Sequence, residues 1–295
     1  MMIENDVLTR ELYESDASYN ARVLWKEFKD SVFYDSRYFV KHELLDLLAE
    51  YISKNVLEVE VGTMFHRARI IDDSCIKDHM LGKCLHGNDM EQGIHLFMSK
   101  ENPFKGLSKE ASFVPPRTAK VGEGRANPRY VKYLYVAEEP LTAIFEVRPL
   151  LYDSINVSKI RVNEPLKIAN VAVDLRFPAG EEQTMEMYLM QKIQGAFSKP
   201  TNNSDDYIPT QVISEYLRSL GYDGIRFNSS LHVHGVNLTI FNFAKCEAVA
   251  SQEFKFEGIK ITARAKMVSS SEGEIYRIDD NVPKYWEYDS EAKLI

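Results

Sequence analysis

Apolar residues recur at helical spacing near the start of the chain. Ala21, Leu24, Trp25, Phe28 and Val32 make one stripe, and Leu44, Leu45, Leu48 and Ile52 make a second. The pattern predicts two amphipathic helices, with Asp35 and Ser36 as N-caps between them and Asn55 as the stop. Two such helices suggest a hairpin docked on the rest of the chain, because so short a segment buries little alone. From Val59 the period shortens to two. VEVGTMFHRARII alternates like a strand, with Val59, Val61 and Phe65 or Ile70 as inward positions. Residues 72–118 are polar with scattered Gly and Pro, which predicts a long irregular connection. A short strand is expected over 131–137, and Pro140 then opens a helix over 140–147. VSKIRV and PLKIANVAVDL, within 156–175, read as two strands. Met185, Leu189, Ile193 and Phe197 form a buried helix stripe. Val212, Ile213, Tyr216, Leu217 and Leu220 mark another helix, with Gly221 just past its end. Asp223-Gly224 turns into the strand IRF, and a further strand runs from Asn237 to Phe243. The tail from about 268 is polar and peripheral, with Tyr285, Trp286 and Tyr288 as anchors.

Helices and strands therefore interleave irregularly. The expected class is α+β, or mixed α/β, with a small, partly antiparallel sheet and flanking helices behind an N-terminal helical hairpin. The expected divisions are 1–58 for the helical extension, 59–255 for the main domain, and 256–295 for a C-terminal strand and tail. Composition adds limits. An apolar fraction of 44% supports a full core. A net charge of −8 argues against broad binding to nucleic acid or to anionic membranes. The first sixty residues hold thirteen acids against seven Lys and Arg, read as a feature of solubility and packing. Three cysteines, Cys75, Cys84 and Cys246, make a disulfide framework improbable. The N-terminus has early acids and no apolar core, and no run approaches the length of a membrane span. A soluble, cytoplasmic protein is expected. Neither GxGxxG nor a P-loop is present.

Chemistry concentrates in one region. Residues 115–132 gather five cations, Arg117, Lys120, Arg125, Arg129 and Lys132, against the single acid Glu123. Glycines at 122 and 124 let backbone approach a ligand, and an arginine fork matches phosphate oxygens. The alternative is a solvated surface loop. Tyr135 ends an apolar strand, where a core aromatic with a surface hydroxyl is the ordinary reading. Glu146 lies in the apolar run TAIFEV, where a carboxylate needs a partner; Arg148 is one option. His232 and His234, and the stretch CIKDHMLGKCLH with Cys75, His79, Cys84 and His86, match no standard metal spacing, and no metal is expected.

The order of FHRARI (65–70), GRANP (124–128), YLYVA (133–137), TAIFEV (142–147), YDGIRFNSS (222–230) and GVNLTIF (235–241) resembles the RES domain family over roughly residues 60–250. The two-helix region and the segment DSRYF (35–39) resemble the extension of its longer members. The resemblance implies a fold similar to ADP-ribosyltransferases of the diphtheria-toxin kind. It also implies an enzyme that consumes NAD by phosphorolysis or hydrolysis at the nicotinamide–ribose bond, and a bacterial toxin held by an antitoxin protein. NAD would be the substrate and inorganic phosphate a co-substrate, with no bound cofactor. Position by position, Arg125, Tyr135, Glu146 and Ser229 match the catalytic set, with Ser230 next to Ser229 as the alternative. Arg67 or Arg69 matches the first-strand arginine, and Arg117 and Asn237 join the substrate-binding set. Ala126 departs from the aromatic residue common at that place. Two other functions remain open: transfer of ADP-ribose to a macromolecule, and a binding module without turnover. Nothing in the sequence limits the chain to a monomer.

Overall fold

A computed structural model describes residues 15–73, 75, 99, 101–115, 119–172, 183–199, 201 and 203–258. Five helices are described: α1 (Asp16–Asp30), α2 (Glu43–Lys54), α3 (Pro140–Glu146), α4 (Met185–Ser198) and α5 (Ile208–Ser219). Nine strands are described: β1 (Val56–Val59), β2 (Met64–Ile71), β3 (Phe104–Lys105), β4 (Leu134–Ala137), β5 (Ser154–Val162), β6 (Leu166–Asn170), β7 (Gly224–Asn228), β8 (Val236–Ile240) and β9 (Cys246–Lys255). They form one sheet in the order β1-β6-β7-β8-β4-β2-β5-β9-β3. The pairs β6–β7 and β3–β9 are parallel, and the others antiparallel. The class is mixed α+β as expected, with a sheet larger than the small one expected.

Helices cover one face of the β1–β4 half. Ala21, Leu24 and Phe28 of α1 and Leu44, Leu48 and Ile52 of α2 are buried in one cluster with Leu189 and Phe197 of α4, Leu217 of α5, and Ile225 and Phe227 of β7. The N-terminal helices thus fill the main core instead of capping it from outside. β1 crosses the expected division at 58/59 and pairs with β6. The opposite face buries Val136, Ile160, Ile168 and Leu238 beneath Phe104, Phe113 and Phe243. α3 lies over a smaller cluster of Ala68, Ala137, Ile155 and Val157. No described helix is long and apolar enough to cross a membrane.

Several local expectations are corrected. Asp35 is not a cap: it ends a π-helical turn, Ser31–Asp35, that prolongs α1. α1 is capped by Ser15, and α2 by His42, whose Nδ1 accepts the Leu44 N–H at 3.2 Å. The alternating run from Val59 breaks at Gly62, whose φ of 89° is left-handed, and Val61 is 59% exposed. Phe65 supplies the inward position instead of Ile70. The strand expected from Asn237 stops at Ile240, and a 3₁₀ turn (Phe243–Lys245) leads into β9. β9 follows at 246–255, and the C-terminal strand expected within 256–295 falls on residues that, past 258, lie outside the described ones. His79, Cys84, His86, Arg117, residues 173–175 of the second predicted strand, and the aromatic anchors of the tail lie outside the described residues.

Candidate active site

β2 and β4 touch through one ladder pair, His66 with Ala137. Continued antiparallel pairing would set Arg67 against Val136 and Ala68 against Tyr135, but the strands separate there. Those four residues line a cavity of about 490 Å³ that fills the gap. That volume suits a small-molecule site. Gly124 and Arg125 from the loop before β4, Glu146 from α3, and Asn237 from β8 complete its wall, joined by Thr201 and Tyr207.

Glu146 is the last residue of α3, which Pro140 starts. Its Oε1 accepts hydrogen bonds from Ser229 Oγ and Asn237 Nδ2, both at 2.7 Å. Among the described residues these are its partners; Arg148 is not one. Ser229 is itself fixed, since its Oγ accepts the Leu231 and His232 N–H groups at 3.1 Å. The loop that holds it is tied back to α3 by His232, whose ring meets Thr142 Oγ1 at 2.7 Å and stacks on Phe145 at 5.3 Å. His232 is thus engaged as a packing side chain. Ser230 turns away, donating to the Ser198 carbonyl at 2.6 Å.

Tyr135 reverses the ordinary tyrosine arrangement. The residue is 36% exposed and lines the cavity, while its hydroxyl is enclosed by the 124–127 loop. That hydroxyl donates to Asn127 Oδ1 at 2.6 Å and accepts the Ala126 N–H at 3.1 Å. Burial pushes its pKa up to about 12, so at neutral pH the phenol is protonated. Asn127 Nδ2 reaches the carbonyls of Gly122, Pro128 and Val131, which sets the loop. Gly124 is required by closeness: a Cβ there would lie 2.5 Å from Asn127 Oδ1 and 2.8 Å from the Tyr135 hydroxyl. Ala126 is fully buried in the main core, so its side chain is no part of the cavity wall.

Arg125 lines the cavity and braces α4. Its Nη1 donates to the carbonyls of Phe197 and Ser198 at 2.7 and 2.5 Å, at the negative end of that helix. Thr210 Oγ1 and Gln211 Nε2 hold the Arg125 and Gly124 carbonyls at 2.6 and 2.9 Å. The loop's other described cations do not converge on the cavity, as the solvated-loop alternative implies. Arg129 sits over the Tyr130 ring, and Lys132 reaches the Pro115 carbonyl.

Arg67 and Arg69 share a strand face and have different fates. Arg69 donates to the Ala111 carbonyl at 2.9 Å and to Cys75 Sγ at 3.6 Å. Arg67 lines the cavity, and its Nη1 is buried without a hydrogen-bond partner. Burial, together with neighbouring Arg69, lowers its pKa to about 10. A buried guanidinium N–H without a partner is a donor that an anion would satisfy. Thr201, Tyr207, His66 and Arg148 also line the cavity, and sequence reasoning gave none of them a site role. Thr201 and Tyr207 come from a polar stretch between helices that offers no periodic signal.

The gap in this mixed sheet brings the Glu146 carboxylate into one cavity with Arg67 and Arg125. The RES domain model matches residues 102–258, more than half of the chain, and the protein belongs to the RES domain family. Arg125, Tyr135, Glu146, Ser229 and Asn237 fall inside the match; Arg67 precedes it. No curated protein matches. One similar solved structure is the crystal structure of the M. tuberculosis MbcT–MbcA toxin–antitoxin complex. It is 12% identical, covers 72% of this chain and 94% of that one, and has a TM-score of 0.35. At that score the likeness adds nothing to the assignment.

Proposed function

We propose that this protein degrades NAD by breaking its nicotinamide–ribose bond, as a cytoplasmic RES-type toxin controlled by an antitoxin. Family membership supports the reading. The observation that carries it is the Glu146 carboxylate, anchored through Oε1 by Ser229 and Asn237 with Oε2 free of bonds among the described residues, lining one cavity with Arg67 and Arg125.

The chemistry follows from charge. As the C1′–N bond of NAD breaks, its electron pair goes to the nicotinamide nitrogen and the ribose gains oxocarbenium character. Glu146 stabilises that positive charge. Tyr135 presents its ring to the nicotinamide and, with its hydroxyl occupied, orients instead of transferring a proton. Arg67, with Arg125, holds the diphosphate or an inorganic phosphate. The acceptor oxygen, from phosphate or water, bonds to C1′ and gives up its proton to solvent. NAD is the substrate, and the chemistry calls for no further cofactor.

Purified protein should release nicotinamide from NAD. Glu146→Gln keeps both anchoring bonds and loses the charge. A unit charge near 4 Å is worth about 4 kcal/mol at an effective dielectric of about 20, so the rate should fall roughly 10³-fold. Full activity in that variant refutes the mechanism. Phosphate-dependent formation of ADP-ribose 1″-phosphate would identify phosphorolysis, and indifference to phosphate would identify hydrolysis. Label from NAD retained on protein or nucleic acid would assign macromolecular ADP-ribosylation instead.

A further inference from the structure

A second cavity of about 800 Å³ adjoins the first. Thr201 and Tyr207 line both, so these two side chains form a shared wall. Opposite them the second cavity is built from Trp25 and Lys29 of α1 and from Phe33 of the π turn that follows it. Lys192 of α4 and Lys199 just beyond it add two further ammonium groups. The lining thus carries three cations against one carboxylate, Asp206, in a chain of net charge −8. Asp206 accepts a hydrogen bond from Thr201 Oγ1 at 2.5 Å, and none of the three lysines pairs with a carboxylate among the described residues. Trp25 and Phe33 pack partly against the main core and border this space with ring surface.

We infer that the second cavity receives the adenosine-phosphate half of a dinucleotide whose nicotinamide half occupies the first; this rests on the NAD reading above. Unpaired ammonium groups suit phosphate oxygens, and aromatic rings suit a purine face. Thr201 and Tyr207 border both spaces, which puts the two halves of such a ligand in neighbouring sites. The RES match starts at residue 102, whereas Trp25, Lys29 and Phe33 come from the N-terminal helices. Those helices therefore complete a substrate site as well as a core.

Titration calorimetry with ADP and with nicotinamide mononucleotide separates the two halves. The full-length chain, Lys29→Glu, Lys192→Glu and Glu146→Gln would be compared, with melting curves to check folding. ADP should bind the parent and Glu146→Gln alike and lose about tenfold or more in affinity with either lysine reversal. Nicotinamide mononucleotide should bind the lysine variants as it binds the parent. The inference is overturned if ADP does not bind, if its binding ignores both reversals, or if both ligands weaken together. Because ADP binding needs no turnover, a protein that binds ADP through Lys29 and Lys192 yet releases no nicotinamide refutes the NAD-cleavage reading separately.

Discussion

Replacing Arg67 with methionine should stabilise the protein and disable it. The side chain carries a buried Nη1 without a partner, and burial with neighbouring Arg69 lowers its pKa to about 10. A buried, unmade donor costs about 1–3 kcal/mol. The sign is fixed by the direction: the folded value lies below the unfolded one, so the full destabilisation is present at every pH below about 10 and fades only as pH rises beyond it. Arg67→Met keeps an unbranched stem and removes the charge. We expect the ligand-free variant to gain about 2 kcal/mol, raising Tm by roughly 5 °C. The same change should raise KM for NAD or phosphate about 30-fold, the scale of a lost charge-assisted hydrogen bond. Added phosphate should raise the Tm of the parent and leave the variant unmoved. Scanning calorimetry and nicotinamide release test these together. A variant that melts several degrees lower and retains its rate would show that Arg67 is structural and refute the reasoning.

Further predictions concern the supports of the site. Gly124→Ala puts a Cβ within 2.8 Å of the Tyr135 hydroxyl, and the shift it forces should lower kcat/KM about tenfold or more; an unchanged value would show that the Tyr135 ring need not be held in place. Asp223 accepts bonds from the Lys167 N–H, Lys245 Nζ and Asn242 Nδ2, at 2.9, 2.9 and 3.1 Å. Burial pushes its pKa up, but those donors outweigh it and hold it below 3.8. Its contribution is present above that value and is lost as pH falls through the lower folded one. Asp223→Asn should cost about 2 kcal/mol at pH 7 in urea titrations, with the difference from the parent shrinking in acid; equal stability at pH 7 would exclude this role.

What the sequence revealed follows from how local each signal is. The helix stripes are local, and Leu24, Phe28, Leu48, Ile193 and Leu217 are buried as their spacing implies. The cap of α2 was missed because a π turn uses up Asp35, and a histidine ring accepts the N–H bond. β9 lacks a clean alternation, since Glu247, Gln252 and Glu253 interrupt its apolar positions. Arg125, Tyr135 and Glu146 could be grouped from their order along the chain, and the folded cavity contains all three. Period-two spacing could not separate Arg67 from Arg69, because both lie on one face; the parting of β2 from β4 does. The resemblance placed Ser229 ahead of Ser230, and in the fold Ser229 and Asn237 both bond to Glu146 Oε1. Tyr207 and the lysine-lined cavity depend on how α1 and α4 meet, a contact between distant segments that no window of sequence contains.

The seam between β2 and β4 also has a mechanical meaning. Five strands lie on one side of it and four on the other, joined by one ladder pair. The element that spans it is α3, which packs on β2, β4, β5 and β8. The helix that carries Glu146 is therefore the strap of the sheet, and the cavity is the unstitched part of the join. A ligand bridging Arg67 on one side to Tyr135 and Asn237 on the other acts as the missing stitches. The loaded protein is then a stiffer body than the empty one, and its rigidity reports occupancy even when no bond is being broken.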